Sequence, residues 1–152
     1  MMKHALIAAV LGASTLLASG SALAQAKPEV LVKQRQAAMT LIGKYFGPLG
    51  GMAQGKVPYN ADVVKRNAAY LDALSKMPWD GFNANTKDVK SRALPAIFSD
   101  AAKFKQAQDR LTGEVAKLGT AVSGGDEAAI KAQLGAVGKA CGACHNDFRE
   151  KS

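Results

Sequence analysis

Cys141-Gly142-Ala143-Cys144-His145 sets two thiols three positions apart and an imidazole directly behind the second, near the end of a 152-residue chain. Two thiols at this spacing can add across the two vinyl groups of a porphyrin. The histidine beside the second thiol then falls under the iron as its proximal ligand. On a helix, positions i, i+3 and i+4 share a face, so Cys141, Cys144 and His145 can all address one flat cofactor. The motif therefore predicts covalently attached haem c. Only residues 146–152 follow it, so any sixth iron ligand is expected upstream.

Two other chemistries use a C-x-x-C spacing. A structural zinc site takes four protein ligands, but the chain has only two cysteines, and its other histidine is His4. Carboxylates would have to complete such a site, and the nearest, Asp147 and Glu150, lie on the same short terminal stretch. A redox dithiol normally sits beside a βαβ pattern, and no strand-like alternation persists anywhere in the chain. Haem attachment is the reading carried forward.

Four segments have the helical periodicity needed to position this group. The first steps through Val32, Arg35, Met39, Ile42, Phe46 and Leu49, starting after Pro28, with Gly47-Pro48 expected to kink or end it. The second runs Val63, Asn67, Tyr70, Leu74 and Met77, with Asn60 as N-cap and Pro78 as terminator. The third is Ile97, Ala101, Phe104, Gln108, Leu111, Val115, Leu118 and Val122. The fourth is Ile130, Leu134, Val137, Cys141, Cys144 and Phe148, which sets both cysteines on an apolar stripe facing a core. Gly124-Gly125 before Asp126 reads as a helix stop followed by a new N-cap, and Gly50 to Tyr59 is a second break. Trp79 to about Leu94 is a long crossover. The expected fold is all-α, an antiparallel four-helix bundle holding its cofactor between helices.

Residues 1–24 read as a cleaved signal peptide. Lys3 precedes an apolar run from Ala5 to Ala18, and Ala22-x-Ala24 matches a cleavage site. The run is shorter than the roughly 20 residues that span a bilayer, although a retained anchor is the competing reading. Residues 25–152 would then form one haem domain with no membrane span. The net charge of +8 is spread over scattered lysines such as Lys33, Lys65, Lys103 and Lys131, none in a run interleaved with aromatics. That pattern argues against nucleic acid and fits solvated helix faces, or docking of an acidic redox partner protein.

Two residues of the first stripe bear on the haem. Arg35 stands where an apolar side chain is expected. A buried guanidinium needs an anion, which a haem propionate supplies, whereas an arginine near a helix start can also snorkel to water. Met39, one turn later, either ligates iron through its thioether or simply packs in the pocket.

With these residues in view, the sequence resembles the cytochromes c′, the class II c-type cytochromes. The resemblance is carried by Arg35-Gln36-Ala37-Ala38-Met39, Pro58-Tyr59, Pro78-Trp79 with Phe82, Ala93-Leu94-Pro95-Ala96-Ile97-Phe98, and Cys141 through Arg149. It implies a left-handed four-helix bundle, a homodimer through the first two helices, and His145 as axial ligand. It also implies that Arg35, Gln36 and Arg92 contact haem and that Arg149 lies in the proximal pocket. Haem attachment outside the cytoplasm in such systems implies a periplasmic location. In this family the position of Met39 faces the vacant side of the iron, while in related low-spin cytochromes a methionine from this helix ligates. Trp79 and Phe82 resemble the five-coordinate branch; Phe98 departs from the tryptophan frequent at its position. The expectation is a non-enzymatic monohaem cytochrome with five-coordinate iron that binds nitric oxide or carbon monoxide, takes part in electron transfer, or both. The alternative is a low-spin electron carrier ligated by His145 and Met39.

Overall fold

The computed structural model describes residues 26–151, so the leader read in residues 1–24 lies outside the described residues. Four long helices make the fold: α1 (Pro28–Ala53), α2 (Ala61–Leu74), α4 (Ala101–Gly124) and α5 (Glu127–Phe148), with a single turn, α3 (Ala96–Ser99), before α4. Contacts join α1 to α2, α2 to α4, α4 to α5 and α5 back to α1, closing a four-helix ring. No helix of the described residues is long and apolar enough to cross a membrane.

The caps follow from local chemistry. Asn60 Oδ1 accepts from the Val63 amide at 3.0 Å, and Asp126 Oδ1 accepts from the Ala128 amide at 3.0 Å. Between α4 and α5, Gly125 adopts φ +75°, a left-handed conformation that suits glycine. The core is built from Leu49, Val64, Leu71, Val115, Leu118, Leu134 and Val137, all nearly inaccessible. Each such side chain contributes about 1.5–3 kcal/mol relative to exposure.

Three sequence expectations need correction. Of the kink or end expected at Gly47-Pro48, the end does not occur: helix α1 runs on to Ala53. Proline removes one ladder hydrogen bond there, but Leu49 and Met52 beyond it are buried in the core. Asn67 of α2 also donates through Nδ2 to the Tyr45 carbonyl at 3.0 Å, beside the interruption. Helix α2 stops at Leu74, before Pro78, and its buried ridge is Val64, Asn67, Ala68, Leu71 and Leu74. Tyr70 and Met77 of the expected stripe face outward, at 44% and 58% exposure. The third stripe is broken at Asp100, whose carboxylate accepts from the Lys103 amide at 3.1 Å and starts α4 anew, leaving Ile97 on the separate turn α3.

A second, smaller apolar cluster of Ile97, Phe104 and Phe148 lies apart from the main core, with Trp79, Phe82 and Cys144 packed on it. Its rings meet edge-on: Phe104 is 5.1 Å from both Phe82 and Phe148 between centroids, a favoured aromatic geometry. Ile97, Phe104 and Phe148 also line the main cavity beside α1 and the crossover.

Candidate functional site

A cavity of about 590 Å³ opens between α1, the crossover and α5. Helix α1 contributes Arg35, Gln36, Met39, Thr40 and Gly43; the crossover contributes Trp79, Phe82, Ser91, Arg92 and Ala93; α5 and its end contribute Cys144, His145, Phe148 and Arg149. The fold thus brings Arg35, Gln36, Met39, Arg92, Cys144, His145 and Arg149 to one place. Cys141 is one turn further up α5, half-buried against the main core rather than on the cavity wall.

Arg35 does not snorkel. It is 3% exposed, and its Nη1 donates to the Gly81 carbonyl and to Thr86 Oγ1 at 3.1 Å, while Nη2 donates to Ser91 Oγ at 3.0 Å. Its guanidinium also lies 4.3 Å from the centre of the Phe82 ring, a cation–π contact. Burial lowers its pKa, but an arginine keeps its charge in a protein. The crossover is therefore wrapped around this side chain. Gly81 permits the wrap, because a Cβ there would stand 2.7 Å from the Leu31 carbonyl oxygen and 2.8 Å from Arg35 Cβ. Sequence reasoning missed Gly81, Thr86 and Ser91. Their only signal was turn-forming composition, which does not say what a turn closes upon.

The end of α5 is fixed by backbone. The Leu94 amide donates to the Phe148 carbonyl at 3.0 Å and the Glu150 amide to the Arg92 carbonyl at 2.9 Å, an isolated antiparallel bridge pairing Ala93 with Arg149. Arg92 Nη2 adds a bond to the Glu150 carbonyl at 2.7 Å. His145 is half-buried, and burial first, then Arg149 and Arg92, lower its pKa. Neutral imidazole, the form that ligates metal, is thereby favoured. Burial raises the pKa of both thiols, which are free; at Cys144 the charges of Cys141 and Asp147 add to it.

This donor set suits haem c. One wall offers a thiol and an imidazole from the same helix face, and the aromatic cluster gives an apolar surface for a flat ring. Arg35, Arg92 and Arg149 line the cavity and no carboxylate does, which matches a ligand bearing two propionates. Among the described residues no group of three or more His, Cys, Asp and Glu is placed to hold a metal ion.

Comparison with known proteins agrees. A family model described as Cytochrome C′ matches residues 30–149. The cytochrome c′ of Rubrivivax gelatinosus is 45% identical over 126 residues, covering 82% of this chain and 98% of the relative. Its crystal structure superposes with a TM-score of 0.77 over the same shares of the two chains. A nitric oxide complex of a variant cytochrome c′ from Alcaligenes xylosoxidans, 41% identical, gives a TM-score of 0.77 over 84% of this chain and 99% of that one. A carbon monoxide complex of another variant of that protein gives 0.76 over 83% and 98%, also at 41% identity. Proteins of this kind carry covalently attached haem c, and the attachment motif stands here at Cys141, Cys144 and His145. By its family match, its bundle and the residues gathered at its cavity, the chain belongs to the cytochrome c′ family.

Proposed function

We propose that this protein is an exported, periplasmic monohaem cytochrome in which His145 is the only protein ligand to iron, and that it binds small diatomic gases, nitric oxide or carbon monoxide. One observation carries the reading. His145 shares its cavity with α1 residues Met39, Thr40 and Gly43, and it is the only imidazole among the described residues. An iron held by one imidazole supplies an open coordination position that takes up a diatomic molecule. Cys141 and Cys144 would hold the group through thioethers. Arg35, Gln36 and Arg92 would meet its propionates, and Arg149 would stand in the proximal pocket. Met39, half-buried against the main core, would cap the distal side and exclude water. The nitric oxide and carbon monoxide complexes of the Alcaligenes relative support the ligand class. Residues 1–24 carry the export part of the proposal. Exposed Leu41 on α1 and Tyr70 on α2, at 40% and 44%, support a homodimer through those helices.

A second reading has its own observation: Met39 lines the same cavity as His145, as a low-spin electron carrier with both as axial ligands requires. Absorption spectra of the purified holoprotein separate the two. Five-coordinate iron gives high-spin spectra in both oxidation states and ready carbon monoxide uptake by the reduced form, and Met39→Leu, which roughly conserves volume, changes little. A low-spin ferric wild type with a sulfur-to-iron charge-transfer band, turned high-spin by Met39→Leu, would replace the gas-binding reading with the electron-carrier one.

A further inference from the structure

Gly43 lies within α1, where a glycine weakens a helix relative to alanine. Its conformation does not call for glycine, since only Gly55 and Gly125 have positive φ among the described residues. Close packing does not call for it either, because an added Cβ would meet nothing within 4 Å. It is, however, the one glycine on the wall of the cavity that holds His145. Met39 stands four residues earlier on the same helix face. Helical side chains lean toward the helix N-terminus, so any side chain at position 43 would cover the turn that carries Met39. Thr40, between them, returns its hydroxyl to the Gln36 carbonyl at 2.9 Å.

We infer that the missing side chain at Gly43 keeps a recess beside Met39 through which a small diatomic reaches the distal side, making residue 43 a determinant of which ligands are admitted. The inference rests on the gas-binding reading above. Met39 has three rotatable bonds and a soft thioether, so it can turn into the space over Gly43 and back. Filling that space raises the barrier to passage while leaving the haem bonds at Cys141, Cys144 and His145 on the other helix untouched.

The test is the carbon monoxide association rate of the reduced holoprotein, measured by flash photolysis for wild type, Gly43→Ala and Gly43→Leu. The rate should fall with side-chain size, by up to about tenfold for leucine, as expected when Met39 is forced from its preferred rotamers. The resting spectrum and the covalent haem content should stay as in wild type. Adding Met39→Ala to Gly43→Leu should restore the rate, because the space is returned one turn away. An unchanged rate in Gly43→Leu overturns the inference. So does an altered resting spectrum, which would mean that the glycine makes room for the haem. A wild type that takes up no carbon monoxide at all sinks the gas-binding reading first, and the recess with it.

Discussion

Replacing Gly81 with alanine adds one methyl group at the tightest approach in the site. The new Cβ would lie 2.7 Å from the Leu31 carbonyl oxygen and 2.8 Å from Arg35 Cβ. Neither neighbour is the free end of a flexible side chain; both are fixed to α1. Favourable contacts begin near 3.5 Å, so the crossover must retreat by roughly 0.7 Å. That retreat stretches the bonds from Arg35 Nη1 to the Gly81 carbonyl and, at 3.1 Å, to Thr86 Oγ1. Overpacking costs about 1–3 kcal/mol, and loosening a hydrogen bond from a charged donor adds about 1.5 kcal/mol. Stiffening the unfolded chain returns about 0.5 kcal/mol. The net loss is about 3 kcal/mol, or roughly 10 °C in Tm for a domain of this size. Thermal denaturation of the holoprotein, followed by circular dichroism, reads it directly. Gly113→Ala on α4 is the control, because its Cβ meets nothing within 4 Å and it should gain up to about 1 kcal/mol. A Gly81→Ala protein melting within about 2 °C of wild type would refute the claim that close approach to α1 fixes the crossover.

Two further outcomes are expected. Arg35→Leu strips the donor from the Gly81 carbonyl, Thr86 and Ser91 and the cation from the Phe82 ring, so it should cost about 3 kcal/mol or more in a denaturant series on the holoprotein. A change within about 0.5 kcal/mol, typical of a surface residue, would show that the crossover does not depend on it. Haem should remain with the polypeptide after acid and organic extraction of the wild type, since thioethers survive where coordination does not. Cys141→Ala combined with Cys144→Ala should release it, and free extraction from the wild type would contradict covalent attachment.

The bundle was legible where packing and local preference agree. The stripes of α4 and α5 are regular, and Gly125 with Asp126 marks their turn, so the structure repeats the sequence pattern there. Agreement failed where tertiary contacts outweigh a local signal. Pro48 looks like an end until Leu49 and Met52 are seen buried beyond it, with the Asn67 amide bonded to the Tyr45 carbonyl just before it. A local signal was missed as well: Asp100, between the stripe residues Ile97 and Ala101, caps α4 by accepting from the Lys103 amide. In the site, the C-x-x-C-H motif is local, and the structure sets its Cys144 and His145 on the cavity wall, while Arg35 stood out as a charge on an apolar stripe. Its partners could not be read, because Gly81, Thr86 and Ser91 lie 46, 51 and 56 residues away on a segment without periodicity.

The short bridge between Ala93 and Arg149 separates where a side chain stands from what that side chain is. Main-chain bonds from Leu94 to Phe148 and from Glu150 to Arg92 hold residue 149 in place, and neither involves its side chain. Position 149 therefore behaves as a socket: its side chain can be exchanged to alter charge or bulk beside His145 while the scaffold keeps its shape. Another wall of the cavity is borne by a different helix, α1, through Met39 and Gly43. The two walls of the cavity can thus be altered independently, and under the gas-binding proposal this would let ligand release be tuned from one side and ligand admission from the other.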